Sequence, residues 1–502
     1  MEDSESLQIP IPTSPLHRPP TSQTTLPEDT PSFALGHQHK TYRHQYANIY
    51  FIRLRLLRDH VEKKARQRWK NVSGDPQLIP RVLEVVKGDL CFIIGTVYMD
   101  MPLKPNVMDD IARDHSIPPP PPREKFCSSD DATMLEDESG RIQLVGDKLK
   151  GMTLVTGIIM AALGHETPSG EFTVVDVCFA GLAPQASIGE PITESDEDME
   201  VDRSAPSQIA EGEWIAVVSG LEVGVSSPAD GQLQMLAEYL CGEAGGPEDQ
   251  LQGSRISRLI IAGNSFGASA PPEDVDEIAE KKPRRYGYDA TTFSPHATHT
   301  LGAFLLDIAR VMPVHVLAGA SDPSGALLPQ QALPRAMFGA VREHYNFACE
   351  TNPSWLGVAG RSLLVDSGQP LEDMFKYLPS PPVTRLSIAT STLRWRHTAP
   401  TAPDTLWCYP YFTADPFVLN VTPHVYIAGN QPLFATRLVK DGDVKCRVVL
   451  VPGFSETGAL VLVNLKSLRV RVVQFSVAGM NAGGGTSEVP VVDSDGALHD
   501  HQ

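Results

Sequence analysis

Four short segments of this 502-residue chain end an apolar run on a glycine turn and then present polar side chains. They are VVSGLEVG, with Gly220 and Glu222; IIAGNSF, with Asn264; LAGASDP, with Gly319, Ala320, Ser321 and Asp322; and YIAGNQPLF, with Asn430 and Pro432. Turns at strand ends are where an α/β sheet offers side chains to a ligand. Loaded with carboxylates and imidazoles, such turns hold the paired metals, about 3.5–4 Å apart, that hydrolyse phosphate esters. Here the ligands are mostly gone. Glycine, alanine and proline side chains cannot ligate a metal, and a neutral Ser or Asn lacks the charge to hold one tightly. Glu222 and Asp322 keep a carboxylate but belong to a dismantled set. Without metals there is no activated water, so no catalytic residue, metal or cofactor is expected, and the glycines read as tight connections kept for packing.

Other reactive side chains give weaker signals. Trp395 and His397, in RWRHTAPTAPDT, read either as a buried plug or as an interface anchor, since Trp and Arg are over-represented in binding hot spots. No nucleophile accompanies His397, so it is not expected to act as a base. The seven cysteines are widely spaced with no C-x-x-C, which argues against a zinc or iron–sulfur site and for reduced core thiols.

The elements that would position these residues follow from periodicity. Tyr46–Lys70 predicts a helix, with Tyr50, Leu54, Leu57, Val61 and Ala65 on its apolar face and Arg53, Arg55, Arg58, Lys63, Lys64, Arg66, Arg68 and Lys70 on the others. That basic face is either solvated or meets phosphates or an acidic partner. Strands are expected at Leu90–Met99, Arg141–Val145, Met152–Met160 and Phe172–Phe179, interrupted by the proline run Pro118–Pro122, which fits a small closed barrel of OB type. Beyond residue 213, strands Trp214–Ser219, Leu259–Ala262 and Val314–Ala318 alternate with helices at Gln232–Leu240 and Leu301–Val311, the pattern of an α/β sheet. The last part turns β-rich, with Cys446–Val451, Ala459–Val463 and Leu468–Val477.

Composition sets the limits. The formal net charge is −19, which argues against a protein that coats nucleic acid through its own field. Three polar segments hold most of it: residues 1–40 carry −3, 189–213 carry −8 and 479–502 carry −4. The chain is therefore divided into a disordered arm (1–40), a helix plus OB-fold domain (41–186), an acidic disordered linker (187–213), a second domain (214–478) and a disordered tail (479–502). No apolar run reaches the roughly 18 residues needed to cross a bilayer, and the acidic N-terminus lacks the apolar core of a signal peptide. A soluble, intracellular protein with no membrane partner is expected.

Long motifs sharpen the reading. They are YANIYFIRLRLL (Tyr46–Leu57), KGDLCFIIGTVYMDMPLKPN (Lys87–Asn106), DPSGALLPQQALPRAMF (Asp322–Phe338), NPSWLGVAGRSLLVDSGQPLEDM (Asn352–Met374), TLRWRHTAPTAPDTLWCYP (Thr392–Pro410) and DPF (Asp415–Phe417). With these the chain resembles the small, non-catalytic B-subunit of eukaryotic replicative DNA polymerases, over roughly residues 41–478. The resemblance implies a mixed α+β and α/β architecture: an OB-fold β-barrel joined to an inactive calcineurin-like phosphoesterase domain, a two-layered αββα sandwich. In calcineurin-type enzymes the four turns read D-x-H, G-D, G-N-H-D/E and G-H-x-H. It further implies a nuclear scaffold in DNA strand elongation and repair synthesis. Its partners would be the metal-binding C-terminal domain of the catalytic polymerase subunit and a third subunit, the latter linking it indirectly to the sliding clamp. DNA would be met only within the assembled complex. Two rivals remain in view: a metallophosphoesterase with atypical ligands, and a single-strand DNA-binding module using Phe92, Tyr98, Phe172 and Phe179.

Overall fold

The computed structural model describes residues 16–19, 21–36, 46–105, 123–186, 213–225, 229–267 and 295–476. The proline run 118–122, the tail 479–502 and all of the acidic linker but Glu213 lie outside these residues.

Helix α1 (Asn48–Trp69) lies on a barrel made of β1 (Gln77–Leu78), β2 (Cys91–Asp100), β3 (Ala132–Glu136), β4 (Arg141–Val145), β5 (Ile159–Glu166) and β6 (Phe172–Cys178). The strand order is β1-β2-β3-β4-β6-β5, and an antiparallel β2–β5 pairing closes the ring. Leu54, Leu57, Val61, Ala65 and Trp69 of α1 pack on Phe92, Ile94, Ile159 and Leu163, so the apolar stripe points where its spacing directs it. Two expectations shift here. The strand placed at Met152–Met160 is in fact β5, seven residues later: Gly157 adopts φ +91°, and residues 152–158 enter the core as a loop. The run Met152–Leu163 is broken only by Thr153, Thr156 and Gly157, so composition could not set the boundary; pairing with Cys91–Thr96 does. Arg53, assigned to the outer basic face, is wholly buried.

The second domain has two sheets packed face to face. One has the order β10-β9-β8-β7-β16-β17, from β7 (Trp214–Val218), β8 (Ile256–Ala262), β9 (Val314–Leu317), β10 (Phe347–Glu350), β16 (Ala459–Asn464) and β17 (Val470–Gln474). The other has the order β11-β12-β13-β15-β14, from β11 (Ser354–Val358), β12 (Arg361–Asp366), β13 (Val425–Gln431), β14 (Ala435–Asp441) and β15 (Val444–Pro452). Val217, Ile260, Val365, Ile427, Val449 and Val461 fill the space between them. The inner strands β7, β8, β9, β12 and β16 are buried on both faces, as expected when each sheet is covered on both sides. Helices α2 (Ala229–Cys241), α3 (Pro247–Ser254) and α4 (Pro295–Ala309) lie with the first sheet. Helices α5 (Gln369–Lys376) and α6 (Arg385–Trp395) join the second sheet and the barrel in one core, which runs from Val97, Met160 and Phe172 to Leu371, Met374, Leu393 and Trp395. The barrel and the sandwich therefore share a hydrophobic interior.

Of the arm expected to be disordered over residues 1–40, several described residues pack on the fold, while others such as His17, Thr25, Glu28 and Asp29 are exposed. Arg18 donates to the carbonyls of Leu240 and Gly253 at 2.6 and 3.1 Å and to that of Ile256. Gln23 bridges to Val358, and Phe33 is buried against Phe417 with ring centroids 6.0 Å apart. Proline-rich composition marks a chain without regular structure, but not one without partners. Arg18 and Phe33 find theirs on the folded surface.

Candidate functional site

The four turns do converge. Three follow β7, β8 and β9, and the fourth includes the irregular end of β13, where the pairing register shifts between Ala428 and Gln431. The Asn430 side-chain amide donates to the Ala262 carbonyl at 3.1 Å and to the Ser367 carbonyl at 3.0 Å, tying one sheet to the other. Its backbone N–H donates to Ser219 Oγ at 2.8 Å. Asn264 Oδ1 accepts from the Ser321 N–H at 3.2 Å, and the Ser321 hydroxyl donates to the Phe266 carbonyl at 2.7 Å. Glu222 Oε2 accepts from the Ser455 hydroxyl at 2.9 Å. Asp322 faces inward: its oxygens accept the N–H groups of Phe266 at 2.8 Å and Gly319 at 2.7 Å. Burial pushes its carboxyl up to about 6, against the pull of those N–H groups. Pro432 is exposed.

Little room is left among these residues. A Cβ on Gly319 would lie 2.3 Å from Asn264 Oδ1, and one on Gly263 would lie 2.5 Å from Ser367 Cβ. A Cβ on Gly220 would meet Asn430 Oδ1 and Gly453 Cα at 3.0 Å each. Among the described residues no three of His, Cys, Asp and Glu come together in a metal-holding group. Yet the backbone is unusual. Glu222, Asn264 and Asn430 all take left-handed conformations, with φ of 50°, 54° and 52°. Such residues cost of order 1–3 kcal/mol each and tend to gather at functional sites. Sequence reading missed Ser219, Ser367 and Ser455, which complete the cluster; being small and neutral, they gave no signal beyond their place at strand ends.

The second polar cluster lies between the barrel and the sandwich. Arg53 Nε pairs with Asp415 Oδ2 at 2.8 Å, both side chains fully buried. The remaining guanidinium nitrogens donate to the carbonyls of Gly157 (3.2 Å), Pro400 (2.7 Å) and Ala402 (2.9 Å). Gly157 must be glycine, because a Cβ there would lie 1.9 Å from the Pro400 oxygen. His397 Nε2 donates to Asp415 Oδ2 at 3.0 Å, while its Nδ1 accepts the Ala399 N–H at 3.2 Å, which fixes the tautomer. Burial, then the neighbouring Arg53 charge, pulls the imidazole down to about 4, so it is neutral. Burial alone would raise the Asp415 carboxyl, but His397 and Arg53 hold it far below the usual range.

Trp395 and His397 are 2% and 1% exposed, which corrects their assignment as interface anchors: they are the buried plug. A flat Trp and a satisfied imidazole suit the dry space between α6 and the Asp415 loop. The barrel aromatics do not form a stacking platform either. Phe92 and Phe172 are core residues, Phe179 packs beside the shared core, and Tyr98 is covered by Lys104 at 4.5 Å and Arg141 at 5.0 Å.

Residues 45–177 match the family described as the OB-fold domain of the DNA polymerase delta subunit, and residues 215–436 match the family described as the B subunit of DNA polymerase alpha/epsilon. A barrel of this kind fused to a sandwich of this kind defines an accessory subunit of a replicative DNA polymerase. Relatives named DNA polymerase delta small subunit are 36% identical in Arabidopsis thaliana, over 88% of this chain and 93% of that one, and 33% identical in Saccharomyces cerevisiae, over 89% and 92%. The Drosophila melanogaster DNA polymerase delta subunit 2 is 32% identical over 87% and 94%. The chain belongs to the DNA polymerase delta small-subunit family, and so associates with other polymerase subunits. A solved archaeal phosphodiesterase aligns at TM-score 0.25 with 7% identity, over 52% of this chain and 99% of that one, which is too little to argue from. Among the described residues no helix is long and apolar enough to cross a membrane.

Proposed function

We propose that this chain is a non-catalytic scaffold of the polymerase delta complex, whose sandwich is an inactive calcineurin-like phosphoesterase domain. It bridges the metal-binding C-terminal domain of the catalytic subunit and the third subunit, which connects it to the sliding clamp. It works in the nucleus, in DNA strand elongation and repair synthesis, and meets DNA only within the assembly. The working units are residues 41–186 and 214–478, with the linker and tail dispensable for both contacts.

The observation that carries this reading is the strand-end cluster. Its backbone is still bent at Glu222, Asn264 and Asn430 as a ligand-holding site would be, while its polar atoms bind the protein's own carbonyls, hydroxyls and N–H groups. A side chain already committed to the protein's own groups is not free to hold a metal or a phosphate. The test is reconstitution with both partners, followed by size-exclusion chromatography and metal analysis. The three chains should co-elute, with metal following the catalytic subunit and no phosphoesterase turnover in excess manganese. A chain that ignores both partners, or one that retains metal by itself, overturns the scaffold. Turnover abolished by Asp322→Ala would instead establish the metallophosphoesterase.

A further inference from the structure

We infer that Thr30 is a phosphorylation site for a proline-directed kinase and that its modification releases the N-terminal strap from the sandwich. This goes beyond the scaffold reading and does not depend on it. Residues 16–19 and 21–36 lie along the protein as an extended strap held at two ends. At the first end Arg18 binds the carbonyl ends of α2 and α3, through Leu240 and Gly253, and the Ile256 carbonyl at the start of β8. The Ser22 hydroxyl donates to Glu213 at 2.8 Å, and the Ser22 carbonyl accepts from Arg258 at 2.9 Å. Thr24 donates its N–H to the Gly357 carbonyl at 3.0 Å on edge strand β11, and its hydroxyl accepts the Gly360 N–H at 2.8 Å. The approach is so close that a Cβ on Gly357 would lie 1.9 Å from the Thr24 carbonyl oxygen. At the other end Phe33 enters the shared core, and the Leu35 N–H donates to Gln331 at 2.8 Å.

Thr30 sits between these anchors, in a turn closed by its own N–H on the Pro27 carbonyl at 3.0 Å. It is followed by Pro31 and preceded by Glu28 and Asp29. Its hydroxyl oxygen is buried and has no hydrogen-bond partner among the described residues. A kinase therefore reaches that hydroxyl only when the strap lifts. The oxygen then attacks the γ-phosphorus of a nucleoside triphosphate. The bond to the β-phosphate oxygen breaks, the hydroxyl proton passes to the kinase's base and then to water, and the nucleoside diphosphate leaves. The product carries about −1.5 to −2 charge beside two acidic residues, and desolvation and like-charge repulsion both oppose its return to the closed position. The strap remains open, which bares edge strand β11 and the Phe33 pocket next to Phe417.

The test uses the full chain, a proline-directed kinase and ATP, with Thr30 phosphate measured by mass spectrometry and a free peptide of residues 21–36 as reference substrate. Arg18→Ala removes charged hydrogen bonds remote from the acceptor, and should raise the rate at Thr30 about ten-fold or more. After modification the Leu35 and Gly360 amides should exchange at least about ten-fold faster, and the Phe266 amide should not change. Thr30→Glu should reproduce that exchange without a kinase, and Thr30→Val should not. The inference is overturned if intact chain and peptide react at the same rate, or if Thr30 stays unmodified in Arg18→Ala while the peptide reacts. Modification that leaves the Leu35 and Gly360 amides protected overturns it as well.

Discussion

The polar cluster between barrel and sandwich and the polar cluster at the strand ends use opposite chemistry. The one between barrel and sandwich concentrates charge: the Arg53–Asp415 ion pair is buried beside the neutral His397, with hydrogen bonds for all three. The one at the strand ends has the backbone of a reactive site but mostly neutral side chains, and its buried carboxylate, Asp322, is spent on two N–H groups. In the first cluster a buried ion pair ties the barrel to the sandwich, and in the second neutral groups tie one sheet to the other. Buried ionic groups are retained only where partners satisfy them, since an uncompensated charge is costly. A polymerase accessory chain that assembles with others needs a fixed relation between its domains more than it needs an open cleft.

The largest expected effect comes from breaking the charged cluster. Asp415→Ala leaves Arg53 buried without its carboxylate and should cost roughly 3–5 kcal/mol in denaturant unfolding. The double replacement Arg53→Met with Asp415→Leu should recover a good part of that loss. If the single variant melts like wild type, the charged cluster does not cement the two domains.

Steric release at the strand ends ranks next. Gly319→Ala should cost about 2–3 kcal/mol, because its Cβ would collide with the Asn264 backbone nitrogen and Oδ1, both at 2.3 Å. A neutral result would mean the strand ends have room for a ligand after all.

Acidity separates the two clusters by sign. The folded-state pKa of His397 is depressed to about 4 from an ordinary 6.5. Its contribution is therefore present above pH 6.5 and is lost as pH falls through 4, by up to about 3 kcal/mol. Asp322 is raised to about 6 from 3.8, so its contribution is present below pH 3.8 and is lost as pH rises through 6. Asp322→Asn should accordingly destabilise less at pH 7 than at pH 5, by on the order of 1–2 kcal/mol. His397→Gln should flatten the acid limb of the stability curve. The same slope in both variants would remove the distinction.

The smallest effect is expected where neither cluster is touched. Lys63→Ala on the exposed face of α1 should change stability by less than about 0.5 kcal/mol. A larger loss would show that the basic face carries a contact within the fold.

The sequence alone determined the class of the protein. The 3.6-residue stripe of α1, the doubly apolar strands of the sandwich and the long motifs at 322–374 and 392–417 are local, and they reached the right barrel, α/β alternation and family. The four glycine turns were legible too, because each ends an apolar run and is read directly from residue type. What the sequence could not decide is who meets whom. Arg53 looks like its exposed neighbour Arg55 until Asp415, 362 positions away, is brought beside it. Trp395 and His397 carry the composition of an interface and end as interior packing. The proline-rich strap has no periodicity of its own, and distant groups such as the carbonyls at Leu240 and Gly253, the edge of β11 and the core around Phe33 give it a place. Burial and pairing are properties of distant surfaces brought together. Composition and spacing carry no record of them, and tertiary structure supplies them.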